Sequence, residues 1–291
     1  MIVLTSGQVL PAPGLWDEIA DSNDRDAWLA ARMLGVGASE IAAVLGDSPY
    51  MSALRLYAEK TGAIAPDDLS GVEAVEWGLL LEPLVAEQYA RRTGRTIHRA
   101  GRLLRSRAHP WALATLDYWV ELNGALCPLQ IKTTGAHRGD DWTDGAPRAY
   151  RWQEQQEMLV TGTPAASIAC LIGGQRLVWC DVERDAGEQA HIVRDGAEFW
   201  RRVVERDPPP PGPGRGTREA LLALYPREEP AKVIALPGDF VPLAEELAEI
   251  KARVKTDEAR AKELEARICA ELGTAERGIL PDGSGSYSWK Q

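Results

Sequence analysis

The sequence predicts a mixed α/β core followed by a helical appendage, and three observations carry that expectation. Apolar residues recur at helical spacing up to about Thr93 and at a period of two from Thr96 onward. Two strand-like runs meet at Asn123-Gly124, a strong short-range hairpin signal. A proline run, Pro208–Pro211, precedes a long stretch rich in Ala, Glu, Lys and Arg.

The elements follow in order. Asp24–Met33 reads as a short helix with Trp28 and Leu29 on one face. A Gly-rich turn at Gly35–Ala38 leads to Ser39, which the spacing places as the cap of a helix over Glu40–Leu45. Ser52–Thr61 is a third helix, stopped by Gly62. Val72–Thr93 is a longer one, with Leu80, Leu81, Leu84, Val85 and Tyr89 at helical spacing and Gly94 as its stop. Ile97–Leu104, Ala112–Leu122 and Ala125–Thr133 read as strands, and Pro147–Val160 as a helix. Ala165–Ile172 and Arg176–Val182 are strands around Gly173-Gly174, followed by a helix over Gly187–Arg206. Pro208–Gly216 reads as a stiff linker. Beyond it, a helix over about Val241–Leu272 carries a broken apolar stripe, from Leu243 and Leu247 to Ile268. A small hairpin, Gly278–Lys290, turns at Asp282-Gly283. The domain expectation is a core over residues 1–207, a linker over 208–216, and a helical extension with a hairpin over 217–291.

Composition narrows the function classes. With 33 basic and 43 acidic side chains the chain carries a net charge of −10, which argues against a nonspecific nucleic-acid coat. It leaves room for an enzyme with a local basic channel and an acidic metal site. The apolar runs are far shorter than the roughly 20 residues a bilayer needs, and Met1–Gly14 shows no leader pattern. A soluble, intracellular protein is expected. Cys127, Cys170, Cys180 and Cys269 are scattered, without the spacing of a disulfide framework or a zinc site.

The Asn123-Gly124 hairpin gathers polar residues. A two-residue turn sets Leu122 opposite Ala125 and, further out, Asp117 opposite Gln130, with Lys132 on the same face. Pro128 or a bulge would shift that register by one. An acid, a carboxamide and a lysine on one sheet face can form a catalytic centre. They can equally form a solvated Asp117–Lys132 ion pair worth about 0–1 kcal/mol.

Several blocks, in order, resemble a known family. They are Arg32-Met-Leu-Gly-Val-Gly-Ala-Ser39 running on to Gly46, then Ser48-Pro-Tyr50, Glu59-Lys-Thr-Gly62 and Trp77-Gly-Leu-Leu-Leu-Glu82-Pro. Leu116-Asp117, Leu129-Gln130-Ile131-Lys132, Trp152-Gln153-Glu-Gln155 and Val160-Thr-Gly162 follow. Together, over about Asp24–Asp185, they resemble the YqaJ-like viral recombinases, relatives of lambda exonuclease in the PD-(D/E)XK nuclease superfamily. Ser288-Trp289-Lys290 in the tail is also similar to phage members.

The resemblance implies a restriction-endonuclease-like core, a central mixed β-sheet flanked by helices. It implies a metal-dependent 5′→3′ exonuclease on double-stranded DNA that leaves 3′ single strands for phage-type recombination. An annealing protein is then the implied partner, a homo-oligomer such as a ring-shaped trimer the assembly, and the cytoplasm of a bacterial host the setting. Carried over by residue, Glu82 and Asp117 are ligands of Mg²⁺ or Mn²⁺, with the Ile131 carbonyl as another. Lys132 polarises the attacking water, Gln153 positions Lys132 or that water, and Arg32 and Ser39 form a 5′-phosphate pocket.

One departure stands out. The family's E-x-K is Gln130-Ile131-Lys132 in this chain. A carboxamide keeps the shape but loses the charge that metal-assisted hydrolysis uses. A deliberate substitution that disables cleavage so as to trap bound DNA is the favoured reading, because every other motif position is filled; a natural variant is the other. From a different class comes a non-catalytic DNA-end-binding or interaction module without a metal site. Scattered cysteines argue against an iron–sulfur nuclease. The Arg91–Arg107 stretch reads by default as a solvated face and alternatively as a DNA-backbone contact. Trp77, Trp142 and Trp152 read as core or rim, and the four histidines lack ligand spacing.

Overall fold

The structure, a computed structural model, describes residues 14–69, 71–212 and 214–288. The leader expectation for residues 1–13 and the Trp289-Lys290 end of the last hairpin lie outside the described residues. Two compact units divide between Arg227 and Glu228.

The first unit comprises Trp16–Asp21 (β1), Arg25–Arg32 (α1), Val36–Gly37 (β2), Ile41–Val44 (α2), Ala53–Lys60 (α3), Glu73–Thr93 (α4), Ile97–Arg99 (β3) and Arg102–Ser106 (β4). It continues with Ala112–Thr115 (β5), Tyr118–Leu122 (β6), Ala125–Thr134 (β7), Arg148–Thr161 (α5), Ala165–Ile172 (β8), Arg176–Glu183 (β9), Ala186–Glu205 (α6) and Thr217–Leu224 (α7). Local chemistry sets the helix ends. Asp24, Ser52 and Asp185 accept the exposed N–H groups of α1, α3 and α6, and Gly94 and Gly162 end α4 and α5 in the left-handed conformation. Ser39 is a correction. It lies inside a 3₁₀ turn, Ala38–Glu40, and the Gly37 N–H is taken by Glu40 instead.

Two expected strands each break in the middle. Ile97–Leu104 becomes β3 and β4, parted at Gly101 with φ +61°, and Ala112–Leu122 becomes β5 and β6, parted at Leu116-Asp117. Beyond each break the partners change. β4 and β5 lie in a four-stranded sheet of order β1-β4-β5-β2, and β3 and β6 in a five-stranded sheet of order β3-β6-β7-β8-β9. A chain that leaves one sheet for another must interrupt its ladder, and glycine tolerates the turn that results. The Ala100 N–H donates to the Asp117 carbonyl at 3.2 Å, tying the two breaks together.

The hairpin forms as its turn predicts. Asn123 and Gly124 both take positive φ, and β6 pairs with β7 from Leu122↔Ala125 to Tyr118↔Leu129. β7 then runs parallel to β8, which it reaches through α5. Alternation sorts β7 by face. Cys127, Leu129 and Ile131 pack with Val85, Ala86 and Tyr89 of α4, whereas Leu126 joins the cluster that holds Trp152 and Val160 of α5. Gln130 and Lys132 share the parity of Leu126 and therefore the α5 face.

Three further expectations need correction. Leu80 and Leu84 do not face the core: both are more than half exposed, alongside Trp77 and Leu79. β1 and β2 were not legible, the first lacking clean alternation in burial and the second having two residues. Pro208–Gly216 is not a domain boundary either. Ser52 N–H donates to the Arg215 carbonyl, Ala220 of α7 is buried in the main core, and Arg55 pairs with Glu219. The apolar face of α7 seats on α3, so the first unit continues past 207 to Arg227.

The second unit holds Phe240–Leu272 (α8), Arg277–Ile279 (β10) and Ser286–Ser288 (β11). No residue of α8 is buried, and the stripe of Leu243, Leu247, Ile250 and Val254 is exposed. The hairpin turns at Asp282-Gly283 as expected. Among the described residues no helix is long and apolar enough to cross a membrane.

Packing of α6 gives a test of the fold. A Cβ at Gly196 would lie 2.2 Å from Trp111 Cη2. Gly196→Ala is expected to destabilise by about 1–3 kcal/mol, read as a lower urea midpoint at unchanged slope. An unchanged midpoint would mean that α6 does not seat on Trp111.

Candidate active site

The site forms where the two sheets part. Asp117 lies one residue beyond the last ladder pair, Tyr118↔Leu129, so it does not sit in a strand opposite Gln130 as the register alone implied. Its Oδ2 instead accepts the Ile131 N–H at 2.8 Å, closing the ladder with a side chain. Burial pushes the Asp117 carboxyl above its usual range, against the pull of Lys132, the Ile131 N–H and Arg99.

Gln130 is 2% exposed and held at both ends of its amide. Its Nε2 donates to the Thr115 carbonyl at 3.1 Å, and its Oε1 accepts from Lys132 Nζ at 3.2 Å. The carboxamide oxygen is thus turned toward the lysine. The Lys132 ammonium also lies 5.5 Å from the ring centre of Tyr150, in cation–π range. This arrangement is partly buried, unlike the solvated ion pair that the spacing also allowed.

Glu82 comes from α4, which approaches β7 closely: a Cβ at Gly78 would lie 3.6 Å from Thr133 Oγ1. Burial and the Asp117 charge push the Glu82 carboxyl up, while Arg99 and Lys132 pull it down. Glu82, Asp117 and Lys132 are therefore electrostatically one site. Hard carboxylate and amide oxygens of this kind fit a divalent cation, which would relieve the crowding of negative charge. Among the described residues, however, no group of three His, Cys, Asp or Glu side chains could hold a metal ion. The β7 position that would add a third acid is Gln130.

Helix α5 supplies residues that the sequence did not single out. Gln153 Nε2 donates to Glu157 Oε1 at 2.9 Å. Glu154, Gln155, Gln156 and Glu157 are fully buried. Gln155 bonds the Glu183 carbonyl, and Gln156 bonds those of Val36 and Leu113. Burial pushes the carboxyls of Glu154 and Glu157 up, with the Glu157 charge adding to it at Glu154, the Asp117 charge adding to it at Glu157, and Lys132 opposing at both. Five consecutive polar residues carry no apolar period, so their burial had no signal in the pattern.

A second cluster surrounds Arg32, in the last turn of α1. Its Nη2 bonds Glu40 Oε1 at 2.5 Å and its guanidinium lies over Trp28. Glu40 Oε2 accepts from Gly37 N–H at 2.8 Å and from Lys60 Nζ at 2.7 Å. Burial alone would raise the Glu40 carboxyl, but Arg32, Lys60 and Gly37 outweigh it and hold it at about 2. Ser39 is exposed on the neighbouring turn. Of the arginine-rich stretch, Arg95, Arg102 and Arg107 are paired with Asp181, Asp21 and Asp17, while Arg99 acts on Glu82 and Asp117. Trp142 and Trp152 are buried and Trp77 is exposed.

Residues 27–164 match the family described as the YqaJ-like viral recombinase domain. The chain is similar to protein YqaJ of Bacillus subtilis (strain 168), with 32% identity over 270 residues, 91% of this chain and 83% of that one. Among solved structures it is similar to LHK-Exo in complex with dAMP, at a TM-score of 0.52 and 22% identity over 62% of this chain and 94% of that one. LHK-Exo, described as an alkaline exonuclease from Laribacter hongkongensis, gives a TM-score of 0.50 and 20% identity in a second structure, with the same coverage. These likenesses bear out the restriction-endonuclease-like α/β fold.

The ion pairs of Glu40 predict a pH dependence. Its folded pKa lies below the unfolded one, so its contribution is full above about pH 4.5 and is lost as pH falls toward 2. Glu40→Gln is expected to cost roughly 2–3 kcal/mol at pH 7 and almost nothing near pH 2. Denaturant melts at the two pH values check this, and an equal loss at both would contradict it.

Proposed function

The chain belongs to the YqaJ-like viral recombinase family, and on that premise we propose that it is a metal-dependent exonuclease acting 5′→3′ on double-stranded DNA. The single observation that supports this best is the convergence of Glu82, Asp117, Gln130 and Lys132 at the point where the sheets part. In this reading the Glu82 and Asp117 carboxylates, the Gln130 Oε1 and the Ile131 carbonyl hold Mg²⁺ or Mn²⁺. The bound ion supplies Lewis acidity toward the phosphate and acidifies water. Lys132 stabilises the negative charge that develops on the phosphodiester. Tyr150 and Gln130 fix the ammonium on which that depends.

Arg32 and Ser39 take the 5′ phosphate. Arg32 gives one amino group to Glu40, and a guanidinium has further N–H donors for an anion. The remaining proposals follow from the family: 3′ single strands passed to an annealing protein, phage-type recombination in a bacterial cytoplasm, and a homo-oligomer such as a trimer. The exposed Leu79, Leu80 and Leu84 of α4 suit such an assembly.

Gln130 weakens the site in this reading, because a neutral amide oxygen is a poorer ligand than a carboxylate. Linear duplex carrying 5′ phosphates, digested with Mg²⁺, tests it. Gln130→Glu is expected to digest from 5′ ends roughly 10- to 100-fold faster than the native chain. Lys132→Ala is expected to abolish digestion while retaining end binding. If neither the native chain nor Gln130→Glu cuts while both bind ends, the protein is a DNA-end-binding module and the enzyme reading fails.

A further inference from the structure

The second unit carries a long apolar stripe that is open to solvent. Helix α8 runs 33 residues, about 50 Å at roughly 1.5 Å per residue. Most protein helices are stabilised by packing one apolar face, yet no residue of α8 is buried. The stripe keeps a strict period. From Phe240 it steps by three and four residues in turn, through Leu243, Leu247 and Ile250 to Val254, all of them exposed. The same steps continue through Asp257, Ala261, Leu264 and Ile268 to Glu271, so eight of the ten positions are apolar. This alternation is the seven-residue repeat of a coiled-coil seam. A helix packed on a globular core carries a broader stripe, whereas the flanks of this one are mostly charged.

Those flanking charges identify the partner. In a parallel, in-register pair, the residue just before Leu247, Val254 or Ala261 faces the residue five positions further on in the other helix. That sets Glu246 against Lys251, Arg253 against Glu258, and Arg260 against Glu265 of an identical helix. All three pairs are opposite in sign, so α8 is complementary to itself. Antiparallel pairing would set each flank against its own kind, and Arg253, Arg260 and Arg267 all lie on one flank. Arginines would then meet and repel. Arg260 also reaches Glu263 of its own helix at 2.7 Å, but both side chains are exposed and that pair holds the guanidinium weakly. Asp257 interrupts the seam near its middle, where a polar residue costs stability and helps to hold the register.

We propose that α8 is a self-recognition surface: it winds in parallel and in register around the α8 of a second copy of this chain. The stripe from Phe240 to Ile268 forms the seam, and the charges beside it select an identical helix in one orientation. This surface is distinct from the exposed leucines of α4, and its pairing does not depend on the chain cutting DNA.

Disulfide trapping on the full chain tests this. Cys127 and Cys170 are buried, so Cys180→Ser/Cys269→Ser provides a background without accessible thiols, and Leu243→Cys is added to it. Parallel, in-register pairing puts position 243 against its own copy, and mild oxidation is expected to convert most of the chain to a linked dimer. Antiparallel pairing in the register that buries the whole stripe puts position 243 against 268, about 37 Å along the helix, and gives no such link. Ile250→Asp, which places a charge in the seam, is expected to slow linking roughly tenfold. Glu246→Lys is expected to slow it about two- to fivefold, and Glu246→Lys/Lys251→Glu to restore the original rate, because the pair is re-formed with its signs exchanged. Absence of the link at position 243 overturns the proposal. So does a linking rate that Ile250→Asp leaves unchanged, or a double exchange that links no faster than Glu246→Lys alone.

Discussion

The hydrogen bond from the Ile131 N–H to Asp117 Oδ2 is the constraint on which the site depends. Backbone pairing between β6 and β7 ends at Tyr118↔Leu129, and the chain before Tyr118 turns away into the other sheet. Nothing in the ladder would hold Asp117 there. Its side chain does so by capping the N–H of the residue between Gln130 and Lys132. The same bond thereby holds an acid beside Gln130 and Lys132. The Thr115 carbonyl, at the end of β5, holds Gln130 in the same way, so both sides of the strand break contribute.

The price of this placement is borne by the interior. Asp117, Glu82, Glu154 and Glu157 are all pushed toward their neutral forms by burial, and Lys132 opposes the shift at each of them. A core optimised for stability would replace such groups with apolar ones. Their presence around one lysine, in a chain whose other buried ions such as Glu40 are fully paired, marks a region shaped for something besides stability.

What the sequence made legible follows from how local the cause is. The Asn123-Gly124 turn dictates its register from two residues, so the shared face of Gln130 and Lys132 could be read directly. The end of α4 at Gly94 was equally local. The breaks at Gly101 and Leu116-Asp117 were not, because a strand changes sheets for reasons that lie in its partners. Glu157 was hidden for a related reason: Gln153–Glu157 reads as a solvated run, and only the sheets that close over α5 bury it. Glu40 and Lys60 are twenty positions apart, beyond any local pattern, and Ser39 was read as a cap from its residue type and its place before Glu40–Leu45, whereas its neighbour Glu40 takes the Gly37 N–H.

The central proposal is that a divalent ion is held by Glu82 and Asp117 on the oxygen side of the Gln130 amide. Crystals of the native chain soaked in Mn²⁺ and measured at the manganese absorption edge test this most directly. One anomalous peak is expected between the Glu82 and Asp117 carboxylates, facing Gln130 Oε1. A peak elsewhere, or a Gln130 amide turned with its nitrogen toward the ion, would contradict it.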